Sequence, residues 1–121
     1  MAKLSFAPVE RKKLEVNGEI YEVLVTEVEI AEMVGEFETA MQRAGKKWMN
    51  KKLEAKPGEI KEACEFLKMP AMAIDRMLGE GALGKIMGAA SVPFNKTVEI
   101  FETVSTAIIG IYEADLKKLY E

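Results

Sequence analysis

The run Asp75-Arg76-Met77-Leu78-Gly79-Glu80-Gly81-Ala82-Leu83-Gly84-Lys85-Ile86-Met87-Gly88 places the strongest limit on this chain, because four glycines interrupt what is otherwise a helical pattern. A glycine inside a helix costs roughly 1 kcal/mol against alanine and readily takes positive φ, so such a cluster marks a change of direction. Gly79, Gly81 and Gly84 also spell G-x-G-x-x-G. That fingerprint holds a dinucleotide only where a strand enters the first glycine, a helix N-terminus receives the pyrophosphate and a second strand carries an acid for the ribose. Here Ala71 to Leu78 has helical spacing, Glu80 would put a carboxylate into the phosphate cradle, and no second strand follows. The glycines are read as a helix C-cap and a tight corner between two helices, and no cofactor is expected.

The rest of the pattern gives the elements that the corner joins. Asn17-Gly18 lies between runs bearing Leu14, Val16, Ile20 and Val23, which predicts a β-hairpin over 12–25 with a type I′ turn. Two strands are marginal by themselves, so the hairpin must lie on something apolar or gain a third strand, for which Leu4 to Val9 is the candidate despite Pro8. Residues 1–11 are otherwise expected to be extended or poorly ordered. Thr26 with Glu29 makes a capping box, and Ile30, Met33, Val34, Phe37, Met41, Ala44 and Trp48 follow on one helical face. Acidic residues crowd the start of this helix and basic residues its end, as the macrodipole favours. After Pro57-Gly58, helical spacing resumes through Ile60, Ala63, Cys64 and Leu67 to Ile74, Met77 and Leu78, with Pro70 either kinking or dividing the helix. Ala82 to Met87 forms a short turn or helix. Asn95 is the expected N-cap of a last helix whose stripe runs through Val98, Phe101, Val104, Ser105, Ile108, Ile111, Tyr112 and Leu119, with apolar surface to spare for a partner subunit. The expected fold is one α+β domain over 1–121, mainly helical, with an N-terminal β-hairpin packed on a bundle of about four helices.

At 121 residues there is room for one core but not for a separate catalytic module. The chain has no histidine, one cysteine and a net charge of −3. Those counts remove the usual acid–base residue, the Ser/His and Cys/His couples, the commonest zinc ligand and an internal disulfide. The reading is therefore a non-enzyme with no catalytic residue and no metal. Without a long apolar run or a signal-like leader, a cytoplasmic protein with no membrane role is expected.

Four residue groups invite functional readings. Lys46, Lys47, Lys51, Lys52 and Lys56 around Trp48 could grip phosphates, but Trp48 is in register with the apolar stripe and the protein is acidic, so nucleic-acid binding is disfavoured. Glu29, Glu32 and Glu36, like Glu99 and Glu102, share helix faces yet lack the histidines that help helical carboxylate metal sites, and read as surface charge. Cys64 is expected to be a buried, inert thiol. Among eight methionines, Met33, Met41, Met77 and Met87 read as core fillers, whereas Met49, Met69 and Met72 gather near helix breaks, where adaptable side chains suit apolar clients.

The hairpin Leu14 to Val23, the acidic helix, Cys64-Glu65-Phe66, the Leu78-Gly79-Glu80-Gly81-Ala82 corner and the Lys85-Ile86-Met87-Gly88 that follows together resemble small proteins of tailed phages and prophages of Gram-positive bacteria, of the tail assembly chaperone class. The resemblance covers roughly Leu14 to Leu119. It implies a non-enzymatic role in the host cytoplasm: binding apolar parts of the phage tape-measure protein, or another tail protein, while the tail tube forms. Met69, Met72, Phe94, Ile109 and Tyr112 are the expected contacts for client or partner subunit, and a homo-oligomer is among the expectations. Two alternatives remain open at this point: a structural head–tail or tail protein of the virion, and a nucleic-acid-associated phage regulator.

Overall fold

Asp75 shows how the chain turns its sharpest corner. In the computed structural model, which describes residues 1–49 and 57–120, with the backbone alone at 45–49, 57, 59 and 60, its carboxylate accepts the backbone N–H of Gly81 at 3.2 Å and of Leu83 at 3.0 Å. The order of elements is β1 (Lys13–Val16), β2 (Glu19–Glu22), α1 (Glu27–Met49), α2 (Pro57–Leu78), α3 (Ala82–Met87) and α4 (Phe94–Leu119). The corner between α2 and α3 is closed by Gly79 at φ 114° and Gly81 at φ 82°. Gly79 N–H donates to the Asp75 carbonyl at 2.8 Å, ending α2, and Lys85 N–H donates to the Gly81 carbonyl at 3.1 Å, starting α3.

The expected mainly helical α+β fold is the fold observed, with a hairpin and four helices. β1 and β2 pair antiparallel, Leu14 opposite Tyr21 and Val16 opposite Glu19, and both turn residues Asn17 (φ 52°) and Gly18 (φ 81°) have the positive φ that a type I′ turn needs. This register puts Leu14, Val16, Tyr21 and Val23 on the inner face. Ile20 therefore points outward and is 71% exposed. Residues 1–11 take no strand and every one is exposed, so Leu4 to Val9 adds no third strand to the hairpin. The hairpin is held by helices instead. Leu24 N–H donates to the Met77 carbonyl at 2.8 Å, Asn17 Nδ2 to the Ile86 carbonyl at 3.1 Å, and Tyr112 Oη to the Val25 carbonyl at 2.8 Å.

α1 starts with the expected capping box: Thr26 N–H donates to Glu29 Oε1 at 3.1 Å and Glu29 N–H to Thr26 Oγ1 at 3.3 Å. Arg76 of α2 clasps the same carboxylate at 3.0 Å. α2 packs on α1, α3 and α4, and runs unbroken through Pro70. A proline there costs about 3 kcal/mol. Its ring is fully buried on the same face as Ala63, Phe66, Ile74 and Met77, and each fully buried large side chain returns about 1.5–3 kcal/mol, so the packed face outweighs the lost hydrogen bond. That phase also rotates Cys64 and Leu67 outward; Cys64 is exposed, not buried as expected.

Ile30, Ile74, Met77 and Ile108 are completely buried and form the centre of the core, where α1, α2 and α4 meet. Of the expected core methionines, Met33 and Met77 are buried, Met87 is half-buried and Met41 is 41% exposed at the rim. α4 is capped differently from expectation. Pro93 in extended geometry occupies the N-cap with no side-chain hydrogen bond, Asn95 lies exposed inside the first turn, and Thr97 Oγ1 donates back to the Pro93 carbonyl at 3.0 Å. The apolar stripe of α4 outruns the core, leaving Leu116 and Leu119 exposed.

Asp75→Ala should lower unfolding stability by about 2 kcal/mol in urea titrations, since two backbone donors lose a charged acceptor; Asp75→Asn, which keeps one acceptor oxygen, should lose less. A second outcome concerns pH. The Thr26 backbone N–H, and then Arg76, hold the Glu29 carboxyl below its ordinary value of 4.5. Its contribution to stability is therefore complete above that value and is lost as pH falls through the lower folded value. Glu29→Gln, measured between about pH 6 and pH 3, should flatten the acid limb of the stability profile.

Candidate functional site

Among the described residues, the helices leave a strongly apolar groove. It opens between α1, α2 and α4, has a volume of about 490 Å³, and is lined by Met41, Ala44, Ala63, Phe66, Leu67, Phe94, Asn95 and Val98. Its floor is an aromatic cluster. The Phe37 and Phe66 rings stack at 5.7 Å, Phe66 and Phe94 lie 5.3 Å apart, and Phe101 meets Phe37 edge-on at 5.4 Å. Phe37 and Phe101 are buried, while Phe66 and Phe94 are half-buried, so each presents part of a ring to the groove. Stacked aromatics are stiff, and a rigid apolar floor lowers the ordering cost of binding.

The helical phase that buries Pro70 creates this surface. With Ala63, Pro70, Ile74 and Met77 buried on α2, Leu67 is carried to the rim, 45% exposed, opposite Met41 of α1. Among the described residues, Asn95 is the only lining residue with a polar side chain. Two smaller hollows lie nearby. One of about 350 Å³ contains Arg43, Glu62, Glu65, Phe66 and Met69; the other, of about 310 Å³, contains Met33, Phe37, Met69, Met72 and Arg76.

The five expected contact residues divide between these places. Phe94 lines the groove, and Met69, half-buried, lies between the two neighbouring hollows. Met72 is 68% exposed in the second of them. Ile109 and Tyr112 are half-buried further along α4, packed against the core, and the Tyr112 hydroxyl is engaged by Val25. Residue patterns missed Met41, Leu67 and Val98 as one surface, because each was assigned to an inward stripe. Among the lysines around Trp48, the side chains of Lys46, Lys47 and Trp48, together with Lys51, Lys52 and Lys56, lie outside the described residues.

Shifted titrations lie away from the groove, at contacts that brace the hairpin and α1. Lys12 pairs with Asp115 at 2.6 Å, raising the lysine and lowering the carboxyl, and Lys85 pairs with Glu19 at 2.9 Å with the same two directions. Burial first, then nearby carboxylates, raise Tyr112. These shifts follow from architectural contacts, whereas catalytic sites gather shifted groups in a cleft. Among the described residues no group of His, Cys, Asp and Glu is arranged to hold a metal, and no helix is long and apolar enough to cross a membrane. What the groove can do is bury apolar side chains. Comparison with protein-family models, with curated proteins and with solved structures finds no match to this chain.

Proposed function

We propose that this chain is a non-enzymatic assembly factor that shelters apolar segments of a client protein, and that the client is the tape-measure protein or another tail protein of a tailed phage. The groove floored by Phe66 and Phe94 carries the reading. Its volume of about 490 Å³ accommodates a few large side chains, and apolar helices are bound in such grooves through residues spaced three and four apart. Among the described residues Asn95 is the groove's one polar lining residue, and those residues offer little to read sequence with. That suits a factor which must hold many apolar segments in turn. Met69 and Met72 extend the surface with side chains that adapt to different shapes. The choice of a phage tail client comes from the resemblance carried by the Leu78 to Gly88 corner and its neighbours.

The test is co-expression with overlapping tape-measure segments. The wild-type chain should keep apolar segments soluble and co-purify with them. Met41→Glu combined with Leu67→Glu should weaken that binding at least about tenfold while leaving the thermal midpoint nearly unchanged, because both side chains are already partly exposed. Tyr112→Phe should do the opposite, losing about 1 kcal/mol of stability with client binding intact. Tape-measure segments that aggregate equally with and without the chain would contradict the reading, and recovery of the chain in purified virions would favour a structural role in the particle.

A further inference from the structure

We propose that the outer edge of β1 pairs with the same edge of a second copy of this chain, antiparallel about a two-fold axis, so that two hairpins join into one continuous sheet. The hairpin is a two-stranded sheet, and among the described residues no third strand covers either of its outer edges. Its register fixes where each backbone group points. Val23 N–H donates to the Lys12 carbonyl at 2.8 Å, and bonded and non-bonded pairs alternate along an antiparallel ladder, so Lys12, Leu14 and Val16 direct their N–H and C=O groups at β2. Lys13 and Glu15 therefore direct theirs away from β2, at the outer edge of β1.

The two edges are not equivalent. On β2 the outward amide of Leu24 is taken by the Met77 carbonyl at 2.8 Å, which lays that edge against α2. The inner residues of β2, Tyr21 and Val23, are buried, whereas Leu14 and Val16 of β1 are half-buried and Lys13 and Glu15 are exposed. β1 is thus the open side of the sheet. An open edge that pairs with its own like closes a two-fold dimer and cannot propagate into a fibre.

Charge selects both the partner and the register. When Leu14 lies on the axis against the second copy's Leu14, Lys13 falls opposite the second copy's Glu15, and Glu15 opposite its Lys13. Both of these are bonded pairs, each exchanging N–H and C=O across the axis, and the two Leu14 side chains meet in the closely spaced non-bonded pair. Lys13 then sits between Glu22 of its own β2 and the second copy's Glu15. Sliding the strands by two residues either way sets Lys13 against Lys13 or Glu15 against Glu15, and like charges directly opposed are destabilising. The chain's own residues 1–11 do not compete for this edge. A tight turn closing on Lys13 would have to bend Lys12, which is held in the ladder by Val23 and tied to Asp115 at 2.6 Å. None of these residues lines the groove, so the pairing is separate from client binding.

Sedimentation of the full-length protein at concentrations up to about 1 mM should show a monomer–dimer equilibrium. Lys13→Glu and Glu15→Lys, each alone, set like charges opposite one another at both places and should weaken the dimer at least about tenfold. Mixed in equal amounts, the two variants bring opposite charges together at both places and should dimerise nearly as tightly as wild type, an outcome that a merely damaged hairpin does not give. Amide exchange reads the geometry independently: Lys13 and Glu15 N–H should be protected in concentrated protein and lose that protection on dilution. A wild type that stays monomeric throughout, a dimer indifferent to both substitutions, a mixture no tighter than its components, or a dimer whose Lys13 and Glu15 amides exchange freely overturns the proposal.

Discussion

The carboxylate of Asp75 is the contact on which the arrangement depends. A helix leaves its last carbonyls and the next helix its first amides without partners, and only three residues, Gly79 to Gly81, separate α2 from α3. Asp75, one turn before the end of α2, reaches across Gly79 and Gly81 to the first amides of α3. The same amides that would have welcomed a phosphate are occupied by the chain's own carboxylate. The glycine string that mimics a dinucleotide fingerprint thus has its anion built in.

From that corner the other elements take their places. Because α2 ends at Leu78, the Met77 carbonyl is free to accept Leu24 N–H, which fixes where the hairpin leaves the sheet and α1 begins. α3 offers the Ile86 carbonyl to Asn17 and Lys85 to Glu19, holding the turn of the hairpin from the other side. Tyr112 and Asp115 fasten the same region to α4. These contacts fasten one end of the helices. At the other end the Phe66 and Phe94 rings meet at 5.3 Å beside the open apolar groove.

Much of the architecture was legible from residue spacing where local chemistry decides it. Asn17-Gly18 dictates the hairpin turn and Thr26 with Glu29 the start of α1, because each depends on partners within a few residues. The same holds for the glycine corner, although its filled anion site rests on Asp75, whose role is visible only once Gly81 and Leu83 are brought beside it. Helical phase was less legible. In α2 a stripe through Cys64 and Leu67 and one through Phe66 and Pro70 both have helical spacing, and the sequence gives no local reason to prefer a face bearing proline. Tertiary packing chose the latter, exposing Cys64 and carrying Leu67 to the groove rim. The same ambiguity hid the groove, which is built from residues at the margins of three stripes; Phe94 was anticipated, but Met41 and Val98 were assigned to the core.

A fastened end and an open apolar end suit the proposed client-binding role. The groove is shaped by aromatic packing, so occupying it would require no rearrangement of the corner that holds the fold. Backbone amide shifts recorded while an apolar tape-measure peptide is titrated into the protein test this directly. The account predicts changes concentrated at Met41, Ala44, Ala63, Phe66, Leu67 and Phe94 to Val98, with Gly79 to Leu83 unmoved. Changes centred on the Gly79 to Leu83 corner, or none with any apolar segment, would contradict it.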